Sequence, residues 1–277
     1  MPTAKPVRYI RPDQPLSDWL RQLTNRRETL WFFIWKDLKV QYQQPVFGLV
    51  WSIFQPLVYF GVILAAMRFS GTTANVSGIP YPLYLLSGLA IWNFTTSSIL
   101  GAVNSIRSNA GIISKSFFPR FYLILAPVLK STLDLLVMLL LVVVVGFYLG
   151  QPIRFSAIGI VLFAILVAWI TALGWSAIAA SMVVSNRHIR HAIPVILYAM
   201  IFALPVLYSI QQVENQLLQT IFEWNPIAGA MDSLRSGFRV DAPHWKLLIS
   251  WSLQSIIWFA IGITLFRRME KTLADNV

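Results

Sequence analysis

Few side chains in this 277-residue chain have the type and spacing to do chemistry. His188 and His191 stand at i, i+3 in Asn186-Arg-His-Ile-Arg-His191, where two imidazoles on a helix can share a metal ion. No carboxylate or third histidine lies near them, so the ligand set is incomplete, and Arg187 and Arg190 favour a place among lipid headgroups instead. His244 stands alone. Lys130 and Asp134 form an i, i+4 pair inside an apolar stretch. Intramembrane charges mark functional sites by default. The shallow depth of this pair favours mutual neutralisation, with Lys130 reaching back to the interface. The chain has no cysteine, which removes disulfides, thiolate metal sites, Fe–S clusters and a thiol nucleophile. There is no nucleophile elbow, no paired-carboxylate arrangement and no G-x-x-x-x-G-K-[ST] phosphate loop. An enzyme reading therefore lacks a site, and ATP-driven work would need a separate ATPase chain.

The elements that must position these residues are set by composition. Hydrophobic residues make up 57% of the chain and charged residues 12%, against about 25% charged in soluble domains. The excess of 22 Lys and Arg over 11 Asp and Glu is too scattered among apolar runs to form a nucleic-acid groove. Charge-poor windows predict six membrane-spanning helices: Leu49–Met67, Pro80–Val103, Phe121–Leu149, one within Phe155–Val184, Ala192–Ile210 and Leu247–Phe266. No ten-residue alternation supports spanning strands. About 45 residues of mixed charge precede the first apolar run, which does not fit a cleavable signal. With both termini on one side, that side holds 16 of the 22 Lys and Arg and the other side five, Arg235 among them. The imbalance predicts that both termini are cytoplasmic.

Three connecting segments carry more pattern than a plain loop. Residues 17–42 predict an amphipathic helix, capped by Ser17 or Asp18, that lies on the membrane surface. Its apolar face collects Leu30, Trp31, Ile34, Trp35 and Leu38, with Lys36, Asp37 and Lys39 mostly opposite. The loop from Asn104 to Arg120 is basic through Arg107, Lys115 and Arg120, contains no acid, and repeats apolar residues at helical spacing. Two readings stay open for it: a basic loop held at anionic headgroups, or a short helix docking a cytoplasmic partner. Segment 211–245 predicts two short helices folded into the outer leaflet, with Asn225-Pro226 as the turn between them. Pro56 and Pro205 predict kinks in spans one and five, and Gly146-x-x-x-Gly150 matches a small-residue packing pattern. Aromatics crowd the same two spans: Trp51, Phe54, Tyr59 and Phe60 in the first, Tyr198, Phe202 and Tyr208 in the fifth. Facing a pathway they could stack on sugar rings, although packing is the commoner use of any one of them.

Several motifs then resemble one family together. Trp35-Lys-Asp-Leu-Lys-Val-Gln-Tyr-Gln-Gln-Pro-Val-Phe-Gly-Leu-Val-Trp-Ser-Ile-Phe-Gln-Pro-Leu57 resembles the start of span one in ABC-2 type export permeases for polysaccharides and polyol phosphates. Asn109-Ala-Gly-Ile-Ile-Ser-Lys-Ser-Phe-Phe-Pro-Arg120 is similar to their loop between spans two and three. Asn225-Pro-Ile-Ala-Gly-Ala-Met-Asp-Ser-Leu-Arg235 resembles their outer re-entrant segment, and Phe266-Arg-Arg-Met-Glu-Lys-Thr-Leu-Ala-Asp275 their C-terminal end. The resemblance runs from about Trp31 to the end of the chain.

The resemblance implies an all-α integral membrane fold of six transmembrane helices, with an N-terminal interface helix, a cytoplasmic coupling helix and an outer re-entrant hairpin. Residues 1–45 would form the cytoplasmic N-terminal segment and 46–277 the transmembrane domain. The chain would be a homodimer in the cytoplasmic membrane above two copies of a cytoplasmic ABC ATPase. It would bind no cofactor itself, ATP and Mg being held by the ATPase. Arg107, Asn109, Ala110, Gly111, Ile112, Lys115, Phe118 and Pro119 would couple to that ATPase, within a helix around Asn104–Pro119. Trp31, Trp35, Lys36, Asp37 and Lys39 would belong to the interface helix beside it. The aromatics of spans one and five would line a channel, and Phe222, Asn225, Pro226 and Arg235 would form its outer gate. The implied function is ATP-driven export of a lipid-linked polysaccharide of O-antigen or teichoic acid type. The alternatives are export of a drug or small lipid on the same architecture, a membrane-embedded lipid-dependent transferase, and a channel or scaffold that needs no ATP.

Overall fold

The computed structural model describes residues 25–42, 78–113, 118–186, 188–209, 214–239 and 245–270, with positions 19, 21, 23, 54, 57, 58, 60–62, 64, 65, 75 and 76. The described residues are helical apart from turns and one isolated bridge between Val76 and Ile79. In chain order the helices are α1 (Arg27–Tyr42), α2 (Tyr81–Ser108), the four-residue α3 (Ala110–Ile113), α4 (Tyr122–Tyr148), α5 (Ile158–Ser185), α6 (Ile189–Ala203), α7 (Gln216–Glu223), α8 (Pro226–Ser236) and α9 (Trp245–Glu270). A 3₁₀ turn at Phe155–Ala157 leads into α5.

Four of these helices are long and apolar enough to cross a membrane: α2, α4, α5 with its leading turn, and α9 from Lys246. They correspond to predicted spans two, three, four and six. Predicted span one lies mostly outside the described residues, although described positions between 54 and 65 are helical. Predicted span five is shorter than expected. α6 ends at Ala203, where Leu204 turns to an extended conformation with φ −101° and ψ 156°. The cause is Pro205, whose ring disfavours a helical conformation in the residue before it. Pro205 therefore stops the helix rather than kinking it, and the proline inside α6 is Pro194.

The core is an α2–α4–α5–α9 bundle built on close backbone approach. The buried face of α5 is nearly all small residues: Ala164, Ala168, Thr171, Ala172, Gly174, Ser176, Ala177, Ala180 and Ser181. A Cβ on Gly174 would lie 2.7 Å from backbone atoms of Trp258 and Phe259, and one on Gly262 would run into Gly174 itself. Where lipid removes the hydrophobic drive between helices, such contact supplies the dispersion energy that joins them. The predicted Gly146/Gly150 packing motif works differently. Gly150 takes φ +70° in the turn after α4, a conformation that suits glycine. Gly146 lets the carbonyl of Gln151 and the ring of Phe238 approach.

α2 sets the length of the molecule. Its 28 residues rise about 40 Å at 1.5 Å each, so Tyr84 and Asn109 lie at opposite ends of the bundle. One end holds α1 and α3, and the other holds the α7–α8 hairpin.

Candidate functional site

At the α1 end, α2 does not continue into the predicted helix over Asn104–Pro119. Arg107 is exposed in its last turn, and the helix closes at Asn109. Asn109 is fully buried, and its amide donates to the Ser105 carbonyl at 2.7 Å. The Asn109 carbonyl accepts from the backbone N–H groups of Ile112 and Ile113, both at 2.9 Å, which starts α3 on a new axis. Only the donation to Ser105 is specific to asparagine, since the acceptor that starts α3 is a main-chain carbonyl that any residue supplies. Gly111 is exposed, with open space where a Cβ would project, whereas Ala110 and Ile112 are half-buried. Lys115 lies outside the described residues. Phe118 and Pro119 are buried and non-helical.

α1 docks against this break. Phe33 and Ile34 are buried, with Leu30 and Leu38 packed beside them. The Phe33 ring meets that of Phe118 at 5.1 Å. The Lys36 ammonium donates to the side-chain oxygen of Asn109. This corrects the predicted face. Trp31 and Trp35 are 59% and 66% exposed, and Phe32 is exposed with them. Lys36 and Asp37 point inward and are half-buried; among the three predicted polar residues Lys39 is the exposed one. Helix α1 therefore has two apolar faces, one on the bundle and one that the aromatics carry away from it. Burial pushes the Asp37 carboxyl above the usual aspartate range, and the nearby Lys36 and Lys130 charges pull it part of the way back. Tyr122 donates to the Leu23 carbonyl at 2.6 Å, and Arg120 to that of Glu270.

At the opposite end two short helices, α7 and α8, meet at Asn225-Pro226, the turn read from the sequence. Asn215 caps α7 by accepting from the N–H groups of Leu217 and Leu218, and Asn225 caps α8 by accepting from those of Ile227 and Ala228. Pro226 occupies the first position of α8, where a missing N–H is harmless. Phe222 is buried, and its ring meets that of Tyr208 at 6.2 Å. Val213, from the predicted apolar stripe, lies outside the described residues.

Arg235 is not the loop charge that the orientation argument counted. It is 2% exposed, on α8. Its Nη1 donates to the Tyr84 hydroxyl and to the Pro205 carbonyl, both at 2.8 Å. Its Nε and Nη2 donate to the Tyr84 carbonyl at 3.2 Å, and Nη2 to that of Val206 at 3.1 Å. Its guanidinium carbon lies 3.5 Å from the centre of the Tyr84 ring. Burial draws its pKa below the ordinary arginine value, and Tyr84 and Asp232 oppose that shift. Sequence reasoning missed the partners Tyr84 and Gly88. The available signal was a cation in the mostly apolar segment Ile227–Phe238, which demands buried acceptors if the helix packs that face inward.

The predicted channel aromatics are described only in part. Tyr198 and Phe202 are exposed on α6, and Tyr208 lies past its end, its hydroxyl donating to the Phe202 carbonyl at 3.2 Å. Phe54 is half exposed, Phe60 is partly buried against the core, and Trp51 and Tyr59 lie outside the described residues. His188 and His191 are exposed at the start of α6, and His191 meets Arg190 at 3.1 Å. Among the described residues no three His, Asp or Glu side chains gather at metal-binding range.

Comparison with known proteins agrees with this architecture. The family model described as "ABC-2 type transporter" matches residues 28–238, from α1 through the hairpin. The chain belongs to that family. It is thus a transporter membrane subunit, and ABC-2 permeases work with an ABC ATPase. The chain is 27% identical over 246 residues to the O-antigen export system permease protein RfbA of Klebsiella pneumoniae, covering 87% of this chain and 91% of that protein. It is 23% identical over 267 residues to the protein of the same name from Myxococcus xanthus, covering 93% and 98%.

Proposed function

We propose that this chain is the channel-forming subunit of an ATP-driven exporter that moves a lipid-linked polysaccharide, of O-antigen or teichoic acid type, across the cytoplasmic membrane. The observation that carries the reading is similarity to permeases named for O-antigen export over 87% to 93% of this chain and 91% to 98% of theirs. The working unit is a homodimer of six-span protomers with both termini cytoplasmic, on two ABC ATPase subunits that hold ATP and Mg. In this reading α3 enters the ATPase, and the Lys36–Asn109 bond makes α1 and α3 respond together. The exposed Trp31, Phe32 and Trp35 anchor α1 in the lipid interface, where amphipathic aromatic rings are favoured.

Two experiments test it. Gly111→Asp adds a charge where the fold leaves room, so it should abolish copurification of the ATPase while insertion and melting stay unchanged. Deleting the gene should leave lipid-linked polymer stranded in the cytoplasm. Unchanged surface glycan, or export that persists with no ATPase present, would overturn the reading.

A further inference from the structure

The Arg235 contacts form a connected chain that joins α2, α6, α7 and α8 at the hairpin end. Arg235 of α8 donates to the Tyr84 hydroxyl, and that hydroxyl donates onward to the Tyr208 carbonyl at 2.8 Å. Tyr208 then reaches α6 through the Phe202 carbonyl and α7 through the Phe222 ring. Tyr81 adds a parallel link, its hydroxyl donating to the Leu207 carbonyl at 3.1 Å. Segment 204–209 has left the helix, so its carbonyls have lost helical partners, and Arg235 satisfies two of them. A planar guanidinium with fixed donors suits this, whereas an ammonium cannot reach the same acceptors in one plane. The room for it comes from Gly88, where a Cβ would stand 2.5 Å from the Arg235 Nη2.

We infer that Arg235 is a positioning residue, a pin that makes the end of α6, the start of α2 and the α7–α8 hairpin move as one body. Without Arg235 the hairpin would still be tied to α9, by Trp251 Nε1 donating to the Glu223 carbonyl at 2.8 Å, and to the turn before α5 through Arg154, but it could open independently of α6. The pinned hairpin follows α6 whenever α6 shifts. That this body gates an outer mouth rests on the exporter reading; that it moves as a unit does not.

The chain has no native cysteine, so spin labels report only where they are introduced. The test uses the full-length protein in lipid, labelled at Val195→Cys on α6 and Leu217→Cys on α7, both exposed. A control pair sits at Ser97→Cys on α2 and Leu253→Cys on α9, also exposed. The parent should give one narrow distance distribution for each pair. Arg235→Gln should broaden the 195–217 distribution and leave the 97–253 distribution narrow. Arg235→Lys should not restore it, because charge without the fork does not hold the carbonyls. Gly88→Ala keeps the arginine but displaces it, and should reproduce the broadening; it carries the test should Arg235→Gln fail to fold. Combining Gly88→Ala with Arg235→Gln should add nothing further. A 195–217 distribution unchanged in Gly88→Ala or in folded Arg235→Gln overturns the inference, as does rescue by lysine. An exporter failure in the assays above would leave these outcomes untouched.

Discussion

Asp37 sits on α1 where ionisation works against docking. Its folded pKa is raised, chiefly by burial, so the docked state holds a proton over a range in which the undocked state has lost it. Docking is therefore strongest below the ordinary aspartate value of about 4, and weakens as pH rises through the raised value. Spin labels on α1 and α4 should show a docked fraction that grows on acidification from pH 7, and Asp37→Asn should give a high, flat profile. A profile that falls on acidification, or that stays sloped in Asp37→Asn, would contradict this sign. The neighbouring Lys36–Asn109 bond is charge-assisted and part-buried. Asn109→Ala removes it together with the donation to Ser105, and should cost about 1–3 kcal/mol, read as a lower melting temperature. Asn109→Asp keeps an acceptor for Lys36 but loses the amide donor, so its loss should be smaller than that of alanine if Lys36 dominates. Legibility at this scale follows partner distance. The Asn225 cap needs only its next three residues and was readable from Asn225-Pro226. The Arg235 lock needs Tyr84 and Gly88, roughly 150 positions away, and no local pattern announces them.

Helices read well from sequence where lipid alone decides the pattern, and less well where one proline or one neighbouring helix decides it. α4, α5 and α9 follow their apolar windows closely, since a long apolar run with few or no charges has one stable form in lipid. α6 falls short of its window because Pro205 overrides hydropathy. The apolar face read for α1 splits for a related reason, with Leu30, Ile34 and Leu38 on the bundle and Trp31 and Trp35 turned away from it. Trp31 and Trp35 are apolar enough for either lipid or protein, and only Phe33 meeting Phe118 selects the bundle face. Small-residue packing shows the same limit. The visible motif, Gly146 and Gly150, shapes the turn after α4, while the close α5–α9 crossing uses single glycines from two helices, Gly174 and Gly262. Gly174→Ala should therefore destabilise the protein by about 1–3 kcal/mol through overpacking, and Gly174→Leu should prevent folding. Gly111→Ala, facing open space, should leave the melting temperature in place. Equal melting of the Gly174→Ala and Gly111→Ala proteins would remove the crossing from the account.

At the scale of the molecule, two polar constructions stand about 40 Å apart along α2, the Asn109 break at one end and the Arg235 pin at the other. Both fix a short helix to the bundle, and the bundle between them is apolar and closely packed. An α2 with a polar clamp at each end would suit the passing of displacement from one membrane surface to the other in the proposed exporter. The direction of that traffic depends on orientation, and the basic residues set it. Positive charge concentrates in the segments at the α1 end, so that end should face the cytoplasm. Two exposed acidic positions test this without disturbing the cationic bias: Glu28 in α1 and Glu214 before α7. In a chain free of native cysteine, Glu214→Cys should react with a membrane-impermeant maleimide at the periplasmic or external surface of intact membranes. Glu28→Cys should react only once the membrane is breached. Labelling in the reverse order would invert the molecule, place α3 away from any cytoplasmic ATPase, and remove the exporter reading together with it.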